Sequence, residues 1–316
     1  MRRLAYLFTA LLTGLVSFGL AFCAEQSDST SQTPSDQQAK TSHHKLHIKK
    51  GSRDDINAIG NRNIVIDQNW YSPAKELEIG KQDVRFVEQN MKFVDDAAVN
   101  EYIIRLAQNL VRNSDAKVPF TIKVVDTDEV NGFSLPGGFL YVNSGLILDC
   151  ENEAELAGVM AHAIAHVAAH HAVRLLTRER IANVLNQPLI SATPDPRSDG
   201  ARLTTGLMFL KFHRLYEEEA NYFGIQYLYK AGYDPTAFVA RLERDYKRNP
   251  AKPGTLSAAF ADQPLPVERL TAAKKEIARI LPPADHLIVN TPEFDAVKAR
   301  LAASKTPQPK DAQRLQ

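Results

Sequence analysis

Two histidines four residues apart, His162 and His166, stand in the apolar stretch from Val159 to Val167. At that spacing both imidazoles project from one face of a helix, so both can bind one metal ion. In the pattern H-E-x-x-H, the Glu after the first His takes a proton from zinc-bound water. Here that position is Ala163. The stretch reads as a metal cradle that lacks its general base.

Catalytic zinc takes three protein ligands and keeps a fourth position for water. A third candidate lies downstream, in Tyr216-Glu-Glu-Glu-Ala-Asn221-Tyr-Phe-Gly224. Glu217, Asn221 and Gly224 share a helix face, and small Ala220 and Gly224 let that helix approach another closely. Glu217 is the expected third ligand. Asn221, one turn on, is expected to orient a ligand. Taken alone, 217–219 reads as a solvated acidic patch and the His pair as ordinary core or surface histidines. The small and apolar neighbours Gly158, Val159, Ala161, Ala165 and Val167 bury the His helix, and a buried His needs a partner. His170 and His171 continue that helix as polar surface or supporting groups rather than ligands. Glu218 and Glu219 are candidates to replace the base, but a helix points them away from the Glu217 face.

The elements that must position these residues follow from periodicity. Helices are expected over 73–94 and over 96–113, where Val99, Ile103, Leu106 and Leu110 recur at helical spacing. Strands are expected at 120–125 and at 139–142, the second entered through Pro136-Gly137-Gly138. Asn152 with Glu155 makes a capping box that opens the His helix. Residues 186–201 read as a mobile loop, 205–231 as a second long helix closed by Gly232, and Asp234-Pro235 as the start of another. Further helices are expected near 266–280 and 292–303. Helices outnumber strands and the two kinds are segregated. The expected class is therefore α+β: a mostly helical domain with a small mixed sheet and two crossing long helices.

The chain has 316 residues, enough for a self-sufficient core, with 38 Lys+Arg against 37 Asp+Glu. No basic tract carries interleaved aromatics, so nucleic acid is not an expected partner. Met1-Arg-Arg3 followed by an apolar run over 4–22 reads as a secretory signal. The run is also about long enough for an uncleaved membrane anchor. Leu20-Ala-Phe-Cys23 resembles a lipoprotein box, but bulky Phe22 stands where a small residue is expected. Cleavage after Cys23 or Ala24 is the preferred reading, with anchoring or lipidation at Cys23 as the alternative. Either way the body is exported. With Cys23 removed, Cys150 is alone and reads as a buried inert thiol. His43, His44 and His47 lie among lysines and read as a solvated basic patch.

The residues in 131–138 (Asn-Gly-Phe-Ser-Leu-Pro-Gly-Gly), the strand after them, the His helix, the 217–224 segment and Gly232-Tyr-Asp-Pro235 together resemble the gluzincin zinc metallopeptidases. That family includes the CAAX prenyl proteases, HtpX and the periplasmic BepA-like branch. The resemblance covers roughly 51–303, without the BepA repeat domain. It implies one Zn2+ per chain on His162, His166 and Glu217. It also implies that Phe139, Leu140, Tyr141 and Val142 form an edge strand that pairs with substrate backbone, with Gly137 and Gly138 allowing close approach. Three departures fall at the chemistry. Ala163 replaces the Glu base, Asn221 stands where the family has Asp, and Gln263 replaces a His that can occupy the zinc as a regulatory ligand.

The expected organisation is a signal peptide or membrane anchor over 1–24, a disordered tether over 25–50, a metallopeptidase-like domain over 51–303 and a flexible tail over 304–316. The resemblance implies an envelope metalloendopeptidase acting on unfolded or misassembled envelope proteins in the bacterial periplasm or outer cell envelope. Hydrolysis is expected to be impaired at Ala163. Two alternatives stand beside it: a pseudopeptidase that binds or chaperones such clients, and an active parent enzyme carrying an engineered inactivating change.

Overall fold

The computed structural model describes residues 48–186, 214–248 and 267–305. The predicted segments 1–24 (with Cys23) and 187–201, most of the tether with its three histidines, Gln263 and the tail beyond 305 lie outside them. In chain order the elements are α1 (Pro73–Glu88), α2 (Ala97–Arg112), β1 (Thr121–Val125), β2 (Gly132–Leu135), β3 (Phe139–Asn143), α3 (Ser144–Asp149) and α4 (Glu153–Ala168). Then come α5 (His171–Asn186), α6 (Arg214–Lys230), α7 (Pro235–Arg248), α8 (Val267–Ile280) and α9 (Pro292–Lys305). The architecture is the expected α+β one: helices around a small mixed sheet.

Helix α2 forms where its apolar residues recur. Val99, Ile103, Leu106 and Leu110 are all buried, and Asp96 caps the helix by accepting from the amides of Ala98 and Val99. Helix α4 is the core helix, with every residue buried, as an all-round small and apolar sequence requires. Asn152 Oδ1 accepts from the Glu155 amide at 3.0 Å, while the Glu155 carboxylate accepts from the Glu151 amide at 2.9 Å. This is the expected capping box with its return bond displaced by one residue. Helix α6 crosses α4 backbone to backbone. A Cβ at Gly224 would stand 3.0 Å from the N and Cα of His162, so a larger residue would push the helices apart. Gly232, at φ +94°, ends α6 in the left-handed conformation expected of it.

The sheet has the order β1-β3-β2, with β1 and β3 parallel and β2 and β3 antiparallel. This corrects the expectation for 139–142. That strand is central, and its ladder positions are taken on both sides. The 132–135 strand, not foreseen as one, lies at an edge of the sheet. The turn between them needs glycine. Gly137 and Gly138 have φ of +81° and +96°, and a Cβ on Gly138 would stand 2.3 Å from the Pro119 carbonyl oxygen.

Two helix expectations are also corrected. The 73–94 helix stops at Glu88, because residues 92–94 pair with β1 instead: Val94 N donates to Val124 O at 3.0 Å. The His helix does not continue straight through His170 and His171. It ends at Ala168, His170 adopts φ +56°, and α5 departs at 48°. Among the described residues no single helix is long and apolar enough to cross a membrane.

Candidate metal centre

His162 and His166 project from α4 toward α6, where Glu217 meets them. All three side chains are buried. The His162 and His166 Nε2 atoms lie 3.0 Å apart; Glu217 Oε2 lies 3.5 Å from His162 Nε2, and Glu217 Oε1 lies 3.6 Å from His166 Nε2. Zinc bonds of about 2.0–2.1 Å in a tetrahedron separate neighbouring donors by roughly 3.3 Å. The three spacings bracket that value. Two imidazoles and a carboxylate also form a donor set suited to catalytic zinc. The residues fit the ion.

Behind His166 lies His171, fully buried. Its Nδ1 is 2.8 Å from His166 Nδ1, and its Nε2 is 2.9 Å from Glu219 Oε2. Burial lowers the His171 pKa to about 4, against the pull of Glu219, and burial pushes His166 well below the ordinary histidine value. Both rings are therefore neutral near pH 7, with one N–H each. The Glu219 carboxylate only accepts, so His171 donates from Nε2 and its Nδ1 is left as an acceptor. His166 must then donate from Nδ1. Its Nε2 carries a lone pair, aimed at the point shared with His162 and Glu217. The chain Glu219–His171–His166 thus fixes the tautomer that can bind metal.

Burial would raise the Glu219 carboxyl. Hydrogen bonds from His171 and Arg174 reverse this and hold it below the usual carboxylate range. Arg174 Nη1 donates to Glu219 Oε2 at 2.8 Å from a fully buried position.

Asn221 is buried one turn beyond Glu217, but its Oδ1 has no hydrogen-bond partner among the described residues. Among the described residues, the contact behind His166 is made by His171, which Glu219 holds in turn. His171 takes the supporting alternative expected of it, although residues five apart on a straight helix point about 140° apart. The turn at His170 brings it back under His166. Glu219, read as pointing away, is buried because α5 covers that flank of α6. His170 Nδ1 meets Glu76 Oε2 of α1 at 2.6 Å, tying α1 to the bend.

Ala163, also buried, presents a methyl group where a base would act. Its carbonyl accepts from Ser134 Oγ at 2.8 Å, which holds β2 directly above the His helix. The bond from Asn143 N to Asn131 O sets the antiparallel alternation, in which Phe133 and Leu135 bond to β3. The N–H and C=O of Gly132 and Ser134 therefore face the outer edge, which no described strand pairs. By contrast, Phe139, Leu140, Tyr141 and Val142 are enclosed between β1 and β2.

A helix bearing two imidazoles, crossed by a helix bearing a carboxylate and roofed by a short strand, defines the class: a metallopeptidase-type centre. The sequence profile of Peptidase family M48 matches residues 96–277. The chain belongs to that family. It is 33% identical over 266 residues to a putative beta-barrel assembly-enhancing protease of Vibrio cholerae, covering 79% of this chain and 51% of the relative. It is 29% identical over 242 residues to the beta-barrel assembly-enhancing protease of Escherichia coli K12, covering 72% and 48%. A mitochondrial metalloendopeptidase, OMA1 of Schizosaccharomyces pombe, is 30% identical over 145 residues, covering 45% and 43%. The chain spans about half the length of the curated relatives it matches most extensively.

Proposed function

We propose that this chain is a zinc metalloendopeptidase-family protein of the bacterial envelope that engages unfolded or misassembled envelope proteins, with hydrolysis impaired at Ala163. One observation carries the reading: three zinc-type donors converge on a single point, while the residue after His162 ends in a methyl group. His162, His166 and Glu217 hold the ion. When bound, zinc acidifies water and polarises a carbonyl. The residue that should receive the water's proton is missing, and general acid–base catalysis is worth about 10²- to 10⁴-fold in rate. Substrate backbone pairs with the outward groups of Gly132 and Ser134 on β2, a form of strand addition that needs no base. Binding therefore survives where cutting is slow.

The relatives' role in β-barrel assembly supports envelope clients, and the apolar run over 4–22 supports export. The peptidase body is assigned to 51–303, between a leader with its tether and a tail. The β2 edge, unpaired among the described residues, also favours a second reading, a pseudopeptidase that only binds or chaperones clients. An inactivating change engineered into an active parent would account for Ala163, but it leaves Asn221 and Gln263 unexplained.

Elemental analysis of the purified chain, beside cleavage of unfolded casein, tests the proposal. About one zinc per chain is expected, lost in His162→Ala, with slow cleavage. A chain that takes up no zinc overturns the metal site. Fast zinc-dependent cleavage by the unmodified chain overturns the impairment.

A further inference from the structure

The network behind His166 does not end within the residues matched by the family profile. Arg53, on the segment that precedes α1, donates from Nη2 to Glu219 Oε1 at 2.5 Å, with its guanidinium 4.8 Å from the Phe223 ring centre. Asp67, on the same segment, takes the Nε donor of Arg174, accepts from Tyr216 Oη at 3.0 Å, and pairs with Arg178 at 2.7 Å. Tyr216 in turn stacks on the His171 ring, 4.7 Å between centroids. Both oxygens of Glu219 are thereby committed: one to Arg53, the other to Arg174 and His171.

The segment is itself pinned. Arg62 is buried; its Nε donates to Asp115 at 2.9 Å, and its Nη1 donates to Gln226 of α6 at 2.7 Å and to the Arg53 carbonyl at 2.5 Å. Arg53 is therefore presented from a backbone fixed against the same helix that carries Glu217.

We propose that the strap over 51–71 is a positioning element of the metal centre. Arg53 directly, and Asp67 through Arg174, hold the Glu219 carboxylate at the angle that orients His171 and, through it, His166. A carboxylate held by two guanidinium groups cannot rotate away from the imidazole it orients, and such outer partners tune ligand basicity and metal affinity. Arg53 and Asp67 touch neither ion nor substrate. They act through Glu219. The inference rests on the metal reading above.

The test compares the unmodified chain with Arg53→Ala, Arg53→Lys, Asp67→Asn and His171→Ala. Zinc affinity is measured by chelator competition. The absorption spectrum of the cobalt(II)-loaded protein reports ligand geometry, and metal-free thermal melts report stability. His171→Ala is expected to weaken zinc binding by about 10- to 100-fold. Arg53→Ala should weaken it by about 3- to 10-fold and alter the cobalt bands, with the metal-free melt unchanged. Arg53→Lys should restore part of the affinity, since it keeps the charge and loses the fork. In a His171→Ala background, Arg53→Ala should have no further effect. Asp67→Asn should act in the same direction; if it unfolds the chain, Arg53→Ala decides alone, because that side chain is partly exposed. Unchanged zinc affinity and cobalt spectrum in Arg53→Ala would overturn the proposal while leaving the metal site standing. Lowered melting with intact affinity would do the same, reducing the strap to a structural brace. An unmodified chain that binds no zinc would overturn both.

Discussion

The Nδ1 atoms of His166 and His171 lie 2.8 Å apart, although the sequence puts the two residues on diverging faces of one helix. The left-handed turn at His170 makes the contact. A ring placed there supports His166 from behind, and Glu219 supports the ring in turn. His171, Glu219 and the Arg53 and Arg174 guanidiniums thus form three polar layers behind the His166 ring.

Glu219→Ala is expected to cost about 3–5 kcal/mol of stability, because it strips a buried partner from Arg174 and leaves His171 without its acceptor. Denaturant unfolding of the metal-free protein checks this. A loss below about 1 kcal/mol would mean that water or Asp67 replaces the carboxylate.

Ser134→Pro is expected to weaken binding of an unfolded peptide, and Ser134→Ala is not. The proline removes an outward amide from the β2 edge, whereas alanine removes only the hydroxyl that reaches the Ala163 carbonyl. Fluorescence anisotropy with a labelled unfolded peptide distinguishes them. Equal binding by both variants, each folded by circular dichroism, would exclude this edge.

Glu276 gives a pH signature. Its carboxyl is buried on α8 beside Gln226, and burial raises its pKa from 4.5 to about 9. Between those values the folded chain keeps a proton that the unfolded chain releases. The contribution to stability is therefore complete below about pH 4.5 and is lost as pH rises toward 9. Glu276→Gln removes this dependence. It should raise the melting temperature more at pH 8 than at pH 5. An equal shift at both would show that Glu276 ionises freely in the folded protein.

The sequence was most legible where the determinants are local. The i, i+4 histidines, the Asn152 cap, the α2 stripe and the glycine after α6 all rest on neighbours within about one or two turns, and the structure bears out the local pattern of each. The three expected ligand positions converge because two lie on one helix and Gly224 lets the other helix close on it. Strand order was not legible. Whether 139–142 is central or at an edge depends on which segments pair with it, and the short 132–135 strand carries no run long enough to announce itself. The His171 contact was hidden for a similar reason: one residue with positive φ, His170, redirects everything after it, and nothing in its neighbours' periodicity marks the bend. Gln263 lies outside the described residues.

The central claim, a complete cradle with an absent base, is tested most directly by the rate of zinc-dependent cleavage of unfolded casein by Ala163→Glu beside the unmodified chain. The helix tolerates Glu and sets the direction of its side chain. Asn221→Asp is added in a double variant to place a carboxylate one turn beyond Glu217. An increase of about 10²- to 10⁴-fold in one or both variants, abolished by chelator, is the expected result. Fast chelator-sensitive cleavage by the unmodified chain, unchanged by Ala163→Glu, would contradict the account.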